Sequence, residues 1–426
     1  YTIQNSQGES DTATVNVTIN GIDGNEVSQP KSFTVTNIND DGEGSLRQAI
    51  IEANETPSAD VINFDSRLSG ETITLSSGQL QITDDLTING LGSNDLTIDA
   101  DNNSRVFNID NGTSGNAVSV SISDLTITGG NSGGGDGGSI RNKEDLTLSN
   151  IIITGNTADD GGGITTFNGE TIINNSVIAG NSASSSGGAI FNGAGTVIVN
   201  NSSLSGNSAN GVAGGIFVRG TTTIINSTLS GNSASNVGGG VFIEESGVGT
   251  FRNITITDNF TDQDGGGIFS DGTVNLANSL ISGNTAITNG NEIRRNQGSI
   301  ASEGNNLFGD SSQSNNEALS GFTPANGDLT ATSDGTNPTA LNNILAPNLE
   351  DNGGFTLTHG LVPNSPAIDA GDNTDLEEPI PFDQRGDGFE RIVGDAIDLG
   401  AVEFDPNTPE TTANDFNSDG NTDFLW

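Results

Sequence analysis

Residues 180–217 read GNSASSSGGAIFNGAGTVIVNNSSLSGNSANGVAGGIF, and the sequence around them repeats this pattern with a period of 25 to 27 residues. The unit Gly-Asn, followed by Ser or Thr and then Ala, begins at five positions, and a degenerate copy, DNFT, begins at Asp258. The five positions are Gly155, Gly180, Gly206, Gly231 and Gly283. A period of this length is typical of solenoid proteins, in which each repeat forms one coil of a stack.

Two further short motifs recur with the same period. We call the three motifs marks, and the Gly-Asn unit is the first of them. Gly-Gly pairs lead into a branched aliphatic residue, usually followed by Phe, at Ile140, Ile164, Ile190, Ile216, Val241 and Ile268. A second asparagine stands six residues before the Asn of the first mark, at Asn150, Asn175, Asn201, Asn226, Asn253 and Asn278. Three marks in phase argue against intrinsic disorder as the reason for the 60 glycines. Fixed leucine positions are missing, which excludes a leucine-rich repeat.

The segments between the Gly and Asn turns are short and rich in β-branched residues, as in Thr221–Ile225. We therefore predict an all-β, right-handed parallel β-helix with coils stacked about 4.8 Å apart. About thirteen such coils would form a rod of roughly 60 Å. Inward Ile, Val, Leu and Phe are expected to stack, and the asparagines of the third mark are predicted to form an amide ladder along the axis.

The first coil needs a cover, because an exposed end coil offers an unpaired strand edge. Ser45 begins a capping-box pattern, and Leu46, Ala49, Ile50 and Ala53 follow at helical spacing, so we predict a short capping helix that ends near Asn54. The β-helix is expected to span residues 31–404. Within it, residues 31–64 form the N-terminal cap region, 130–290 the regular repeats, and 291–404 irregular final coils with a cap.

Several segments resemble known bacterial families. The GGAI-type repeats over residues 130–290 resemble those of polymorphic outer-membrane proteins. The segment FTVTNINDDGEGSLRQAIIEANETPSADVINF, residues 33–64, is similar to the start of large secreted β-helix proteins. SPAIDAGD, DQRG and DLGAVE, between residues 365 and 403, resemble a closing module found near surface anchors. These resemblances imply a secreted protein, extracellular or at the cell surface, and assign no reaction.

The two ends resemble fragments of other modules. Residues 1–22 are similar to the last strands of cadherin-like or Ig-like repeats, and residues 415–426 are similar to one FG-GAP calcium loop. Five oxygen-bearing side chains in that loop are predicted to bind calcium: Asp415, Asn417, Asp419, Asn421 and Asp423. Small β extensions at both ends are therefore expected.

The two ends are also predicted to mediate assembly. Copies of the chain are expected to join head to tail by strand donation, unless neighbouring domains of a longer precursor cover the ends instead. The residues proposed to make this contact are Ile3, Val15, Val17, Ile19, Phe424 and Trp426.

The composition limits the classes of partner. With 12 Lys and Arg against 55 Asp and Glu, the formal charge is −43, which disfavours nucleic acid and anionic lipid as partners. No apolar run approaches the roughly 20 residues of a membrane-spanning helix, so no membrane insertion is predicted. Calcium is the cofactor expected for so acidic a chain.

Candidate catalytic residues are few. Asp136 and the pair Asp159 and Asp160 lie one repeat apart before Gly-rich segments, a spacing that places carboxylates on adjacent coils and suits a glycosidase pair or a cation site. No obvious Arg or Lys base stands nearby in the repeats, so solvated turns are the favoured interpretation. His359, the single histidine, is predicted to be a packed or hydrogen-bonded residue.

The closing module contains two arginines among acids. Arg385 and Arg391 lie among Asp383, Asp395 and Asp398, and ion pairs that tie the last coils together are expected. The tripeptide Arg-Gly-Asp at residues 385–387 is interpreted as incidental.

The sequence thus favours a non-catalytic structural or adhesive β-helix outside the cell, a repeating unit of a surface or matrix filament. The alternative is a β-helix that binds or cleaves extracellular polysaccharide.

Overall fold

The computed structural model describes residues 29–113, 115, 117–374 and 380–406, together with the strands at residues 2–4 and 10–12. Residues 415–426, with the predicted calcium loop, lie outside the described residues, as do Val15, Val17 and Ile19. Among the described residues, no helix has the length and apolar character needed to cross a membrane.

Helices are few and short. α1 spans Leu46–Asn54 and α2 spans Asn315–Ala318, and 3-10 turns occupy Ser66–Leu68 and Leu341–Asn343. Ser45 caps α1, and its side chain accepts a hydrogen bond from the Gln48 N–H at 3.2 Å. The helix buries the four apolar residues at its predicted inner positions. The predicted capping helix is therefore confirmed.

Strands make up most of the remaining regular structure and are numbered in chain order. Those up to the first regular repeats are β1 Thr2–Gln4, β2 Ser10–Thr12, β3 Ser32–Val35, β4 Asp60–Phe64, β5 Glu71–Thr74, β6 Leu80–Ile82, β7 Leu86–Asn89, β8 Leu96–Asp99, β9 Phe107–Ile109, β10 Ser119–Ser123, β11 Thr126–Thr128, β12 Ile140–Asn142, β13 Asp145–Ser149 and β14 Ile152–Thr154. Those of the central coils are β15 Thr157–Asp160, β16 Ile164–Thr166, β17 Glu170–Asn174, β18 Val177–Ala179, β19 Ser182–Ser186, β20 Ile190–Asn192, β21 Thr196–Asn200, β22 Ser203–Ser205, β23 Ser208–Ala209, β24 Ile216–Val218, β25 Thr221–Ile225, β26 Thr228–Ser230, β27 Ser233–Ala234 and β28 Val241–Ile243. Those of the last coils are β29 Val248–Arg252, β30 Thr255–Thr257, β31 Phe260–Thr261, β32 Ile268–Ser270, β33 Thr273–Ala277, β34 Leu280–Ile281, β35 Thr285–Ala286, β36 Ile293–Arg295, β37 Ser299–Ser302, β38 Leu307–Phe308, β39 Leu319–Ser320 and β40 Leu329–Thr330.

These strands form four parallel sheets, which the chain visits in the order 1, 2, 3, 4 in each regular coil. Sheet 1 contains β3, β4, β7, β10, β13, β17, β21, β25, β29, β33 and β37. Sheet 2 contains β5, β8, β11, β14, β18, β22, β26, β30, β34, β38 and β40. Sheet 3 contains β15, β19, β23, β27, β31 and β35, and sheet 4 contains β6, β9, β12, β16, β20, β24, β28, β32, β36 and β39. β1 and β2 pair antiparallel as a separate two-stranded sheet.

The core lies inside the coils, because alternate residues of each strand point inward. In β13, Leu146 and Leu148 are buried while Thr147 is half-buried on the outer side. The parallel register places Leu148 beside Ile122 of β10 and Ile173 of β17, so equivalent residues stack along the axis. The predicted right-handed parallel β-helix is confirmed, but sheets 1 and 2 have 11 strands each, so the expectation of thirteen coils was too high.

The amide ladder lies at a different asparagine from the one predicted. Asn150, Asn175, Asn201, Asn226, Asn253 and Asn278 have φ between 46° and 55° and turn the chain from sheet 1 into sheet 2. No side-chain hydrogen bond joins any two of these six residues, all of which the structure describes. Asn150 donates to Asp124, the equivalent corner residue of the preceding coil, at 3.0 Å, but this contact does not continue into the following coils. The prediction of a ladder at these asparagines was wrong. Asn226 and Asn278 donate instead to the carbonyls of Phe382 and Asp372, and the six residues serve as left-handed corners, a conformation that asparagine tolerates better than most residues.

The ladder is formed by the asparagine of the Gly-Asn mark, which is buried inside the coils. Each side-chain Nδ2 donates to the Oδ1 of the equivalent asparagine in the next coil at 2.9 or 3.0 Å. The members are Asn156, Asn181, Asn207, Asn232, Asn259 and Asn284. All the donors therefore point the same way along the axis, toward the C-terminal coils.

A buried carboxyl ends this ladder. Asn284 donates its Nδ2 to Glu292 Oε2 at 2.6 Å, and the Gly283 N–H and Gln313 Nε2 donate to Oε1 at 3.0 and 2.5 Å. The oxygens of a carboxyl group can accept several hydrogen bonds, so this group suits the end of a chain of donors. Burial raises the pKa of Glu292 to about 8, and the charge of Asp310 also acts to raise it.

Stability is expected to depend on this carboxyl between about pH 4.5 and pH 8. The folded pKa is raised, so the folded state holds a proton that the unfolded state releases, and stability is lost as the pH rises through about 8. The melting temperature should be measured from pH 5 to pH 9 for the wild type and for Glu292→Gln. The variant should show a flatter profile than the wild type, and parallel profiles would contradict the assignment.

The Ser-Leu-Arg segment ties the N-terminal cap to the coils. Arg47 pairs with Asp40 at 2.7 Å and donates to the carbonyls of Gly78 and Gln79 at 2.6 and 2.9 Å. Asp40 also accepts from the Ser77 N–H at 2.6 Å. The cap helix is thus fixed to the loop before β6 by hydrogen bonds as well as by its apolar face.

The C-terminal part does not consist of coils to its end. Coils continue to β40, and residues 341–406, which we call the strap, then fold back along the outer face of sheet 2. Thr228 donates to Gln384 at 2.6 Å, and the Ala401 N–H donates to Thr255 at 3.0 Å. A second apolar cluster joins the strap to the coils: Leu280, Leu307, Ala331, Ile344, Leu345, Ala367 and Leu399. The strap therefore covers the later coils along one side.

Candidate binding face on sheet 4

A single row of outward side chains runs along sheet 4, parallel to the helix axis. The middle residues of its strands are in register from β6 to β39. In order they are Gln81, Asn108, Arg141, Thr165, Phe191, Phe217, Phe242, Phe269, Arg294 and Ser320. The row thus has polar ends, each with an arginine, and an aromatic centre.

The first cationic position lies at Arg141. Its Nη1 is 3.2 Å from Asn108 Oδ1 and 3.3 Å from Asp110 Oδ2, and its guanidinium lies 5.2 Å from the centre of the Phe167 ring. Lys143 pairs with the same Asp110 at 2.8 Å. The two cations share the Asp110 carboxylate, and the Asp136 carboxyl also lies within electrostatic range of Arg141, so the position carries charges of both signs.

An open cavity adjoins this position. It has a volume of about 730 Å³ and lies at the turn from sheet 4 to sheet 1. Asp110, Lys143, Glu144 and Asn168 contribute its charged and amide side chains. Glu144 is buried and accepts from the Asn111 and Val118 N–H groups, which holds the wall of the cavity in place.

Four phenylalanines form the centre of the row. Phe191 and Phe217 stack with ring centres 4.6 Å apart, and Phe242 and Phe269 continue the series at 5.4 and 5.5 Å. Each ring is between 5% and 9% exposed, because Val212, Ala213 and Val237 pack over the rings. The rings therefore act as a small outer core and offer little aromatic surface to a ligand.

Arg219 lies above this aromatic centre. Its guanidinium is 5.5 Å from the Phe217 ring centre and 5.8 Å from that of Phe191. The nearest carboxylate oxygen, of Glu244, is 3.7 Å away, and the Arg219 side chain is 49% exposed. The aromatic faces orient this cation while leaving its donors accessible.

The last cationic position is Arg294 in β36. Its Nη1 donates to Ser320 at 2.5 Å, and its Nε is 3.6 Å from Asp264 Oδ2 and has no hydrogen-bond partner among the described residues. Its side chain is 27% exposed. Arg295 follows it in the same strand.

The predicted catalytic acids lie beside the first cationic position. Asp159 and Asp160 are in β15, and the Gly137 N–H donates to the Asp160 carbonyl at 2.8 Å, which brings Asp136 to the neighbouring coil. Arg105 donates to the Asp136 carbonyl at 2.5 Å, and the charge of Arg141 also acts on the Asp136 carboxyl. The premise that no basic residue stands nearby was therefore wrong.

The three acids have distinct environments. Burial, and then the charge of Asp160, raise the pKa of Asp136, while Arg141 and Arg105 act in the opposite direction. Asp159 accepts from Ser184 at 2.5 Å, and Asp160 accepts from the Ser186 N–H at 2.9 Å.

No group of three or more His, Cys, Asp or Glu side chains arranged to hold a metal occurs in the described part of the chain. Calcium at residues 415–423 stays a prediction.

The other singled-out residues belong to the strap. His359 is 3% exposed, with Nε2 at 2.8 Å from Ser230 Oγ and Nδ1 at 2.8 Å from the Ala346 carbonyl oxygen, which confirms the predicted hydrogen-bonded role. Arg385 pairs with Asp383 at 2.6 Å, and Arg391 lies 3.4 Å from Glu403. The expected ion pairs thus form in part, and they hold the strap together rather than the last coils.

Asp395 and Asp398 take no part in those ion pairs. The backbone N–H of Asp395 donates to Asp369 at 2.7 Å, and Asp398 contributes its carbonyl to Arg391 at 2.9 Å. Glu403, which the sequence interpretation overlooked, is the carboxylate partner of Arg391.

Comparison with known proteins bears on the fold alone. No protein-family model matches the chain, and no curated protein sequence matches it. The resemblances to polymorphic outer-membrane proteins, cadherin-like repeats and FG-GAP repeats therefore stay resemblances. Among solved structures, the chain is similar to the crystal structure of pectate lyase Pel9A, with a TM-score of 0.53 and 16% identity over 89% of this chain and 98% of that one. The chain thus has a parallel β-helix fold like that of this pectate lyase.

Proposed function

We propose that this chain is a non-catalytic extracellular β-helix that binds a linear polysaccharide along the outer face of sheet 4. The observation that supports this proposal most is the continuous row from Gln81 to Ser320, which runs parallel to the axis over ten strands. Strands about 4.8 Å apart give such a row a length of roughly 43 Å. A linear polymer is the kind of ligand that can follow it.

The distribution of cations favours the same face. Arg141, Arg294 and Arg295 lie in strands of sheet 4, and Arg105, Lys143 and Arg219 lie within two residues of such strands. These six make up half of the 12 Lys and Arg residues in a chain of charge −43. Cations concentrated on one face of so acidic a chain favour a binding role for that face.

The fold neighbour is consistent with this proposal. Pectate lyase Pel9A is named for an activity on a polysaccharide, so the same fold accommodates a polysaccharide ligand. For the present chain we propose binding without cleavage, because Asp159 and Asp160 already accept hydrogen bonds from neighbouring groups of the fold. Adhesion and assembly into a filament remain compatible roles for such a binder.

Binding is expected to weaken when the first cationic position is neutralised. A panel of neutral and acidic polysaccharides should be tested by affinity electrophoresis against the wild type, Arg141→Gln and Lys143→Gln. Each substitution should weaken binding roughly tenfold or more, since a hydrogen bond to a charged group contributes about 1.5–3 kcal/mol.

Arg252→Gln is the matched control. Arg252 lies in sheet 1 with a side chain 20% exposed, close to the 24% of Arg141. It should bind like the wild type. No binding of any polysaccharide by the wild type would refute the proposed function, and release of unsaturated or reducing-end products, abolished by Asp160→Ala, would replace it with the cleaving alternative.

A further inference from the structure

The exposed cations of sheet 4 are regularly spaced. From the row of Arg141 in β12 to the row of Phe217 in β24 there are three strand-to-strand steps, and from there to the row of Arg294 in β36 there are three more. Arg219 lies over the Phe217 ring. With about 4.8 Å per step, cations therefore recur at intervals of roughly 14 Å, over a total of about 29 Å.

We infer that Arg141, Arg219 and Arg294 are three stations for one carboxylate-bearing polysaccharide that lies extended along the helix axis. This inference rests on the proposed function and names its ligand class. A guanidinium forms charge-assisted, often bidentate hydrogen bonds with a carboxylate. Anionic groups repeated along a polymer can meet stations repeated along the row.

Each station keeps donors available. Arg219 makes no side-chain hydrogen bond to the described residues, and its closest carboxylate oxygen is 3.7 Å away. Arg294 Nε is buried and Nη1 donates to Ser320, so Nη2 is the donor that makes no hydrogen bond to the described residues. Of the Arg141 nitrogens, Nη1 makes the contacts to Asn108 and Asp110. These arginines are also held in place, by Phe167, by the phenylalanine stack and by Ser320. Fixed cations with unused donors suit a ligand that brings its own acceptors.

The overall negative charge does not exclude this ligand. At physiological ionic strength, interactions between exposed charges are screened beyond about 8 Å, so most carboxylates of the chain act only weakly on a ligand at this face. The close ones are Asp110, Glu244 and Asp264, each within 4 Å of one station. A single-stranded nucleic acid is a poorer fit, because it needs exposed aromatic faces for its bases and the four phenylalanines are between 5% and 9% exposed.

The dependence of affinity on ligand length tests this inference. Polygalacturonate spans all three stations, whereas galacturonate trisaccharide is shorter than the distance between the outer two. If the stations act together, the wild type should bind the polymer at least about 100-fold more tightly than the trisaccharide, because additional contacts on one chain raise the effective concentration. Arg219→Gln and Arg294→Gln should each weaken polymer binding roughly tenfold.

The controls separate this inference from the proposed function. Arg252→Gln should leave polymer binding unchanged, because Arg252 lies in sheet 1 and outside the three stations. Equal polymer affinity for the wild type and Arg294→Gln, or binding of neutral polysaccharides alone, would overturn the three-station inference while leaving polysaccharide binding intact. Equally tight binding of single-stranded DNA would also overturn it. Failure to bind any polysaccharide would remove both proposals.

Discussion

Replacing Arg385 with methionine is expected to lower the free energy of strap docking by about 3–5 kcal/mol, the range for breaking a buried ion pair by removing one partner. The Arg385 and Asp383 side chains are 7% and 0% exposed, and their closest contact is 2.6 Å. Arg385 also donates to the Glu403 carbonyl at 2.8 Å, and its guanidinium lies 4.2 Å from the Phe389 ring centre. The substitution leaves the Asp383 carboxylate buried without its counter-charge.

Hydrogen exchange of the amides between residues 382 and 403 measures this effect. Exchange in Arg385→Met should accelerate by more than about 100-fold, since each 1.4 kcal/mol corresponds to a factor of ten. Arg67→Met serves as the control, because Arg67 also pairs with an aspartate at 2.7 Å but has a side chain 78% exposed. An exposed pair contributes about 0–1 kcal/mol, so similar changes in the two variants would contradict the buried role of Arg385.

The Arg-Gly-Asp tripeptide at residues 385–387 gains a structural explanation from the same contacts. Arg385 is directed inward to Asp383, whereas Asp387 is exposed. The first residue of the tripeptide is thus occupied within the strap, which agrees with its interpretation as incidental.

Periodicity in the sequence was sufficient to predict the stack of coils. The three marks repeat in phase, and equivalence along the axis follows because each coil pairs with the next over its whole length. The cap helix was also predictable, since Ser45 and four apolar residues at helical spacing are local signals. Neither inference required knowledge of contacts between distant parts of the chain.

The direction in which a repeated side chain points was harder to predict. Both asparagines of a repeat recur with the same period, and periodicity cannot tell an inner position from a corner. The local difference lies in the preceding residue: a glycine with φ between 61° and 80° precedes five of the six ladder asparagines, and Asp258 precedes the sixth. This left-handed residue makes the turn, so the asparagine after it can point inward.

Contacts between non-equivalent parts of the chain could not be predicted from the sequence. The strap has no repeat, and its hydrogen bonds to sheet 2, such as that between Thr228 and Gln384, join residues 156 positions apart. The positive charges near Asp136 are the guanidinium groups of Arg105 and Arg141, which lie on two successive coils. The row of outward side chains on sheet 4 can be identified only when the strand register is known.

Replacing Asn207 with alanine is expected to lower the free energy of unfolding by about 3–5 kcal/mol, because buried groups left without partners cost roughly 1–3 kcal/mol each. Asn207 Oδ1 accepts from the backbone N–H and the Nδ2 of Asn181 at 3.0 Å, and its Nδ2 donates to the Ile178 carbonyl and to Asn232 at 2.9 Å. The side chain is fully buried, so water cannot replace these bonds without entering the core.

The matched control is Asn201→Gly, six residues earlier in the same repeat. Asn201 has φ of 50°, a conformation that glycine adopts without strain, and its side chain makes no hydrogen bond in the described structure. Its replacement should change stability by no more than about 0.5 kcal/mol. Urea-induced unfolding of the two variants then decides which asparagine forms the ladder. A larger loss for Asn201→Gly than for Asn207→Ala would restore the corner asparagines to that role and show that the inner amides contribute little.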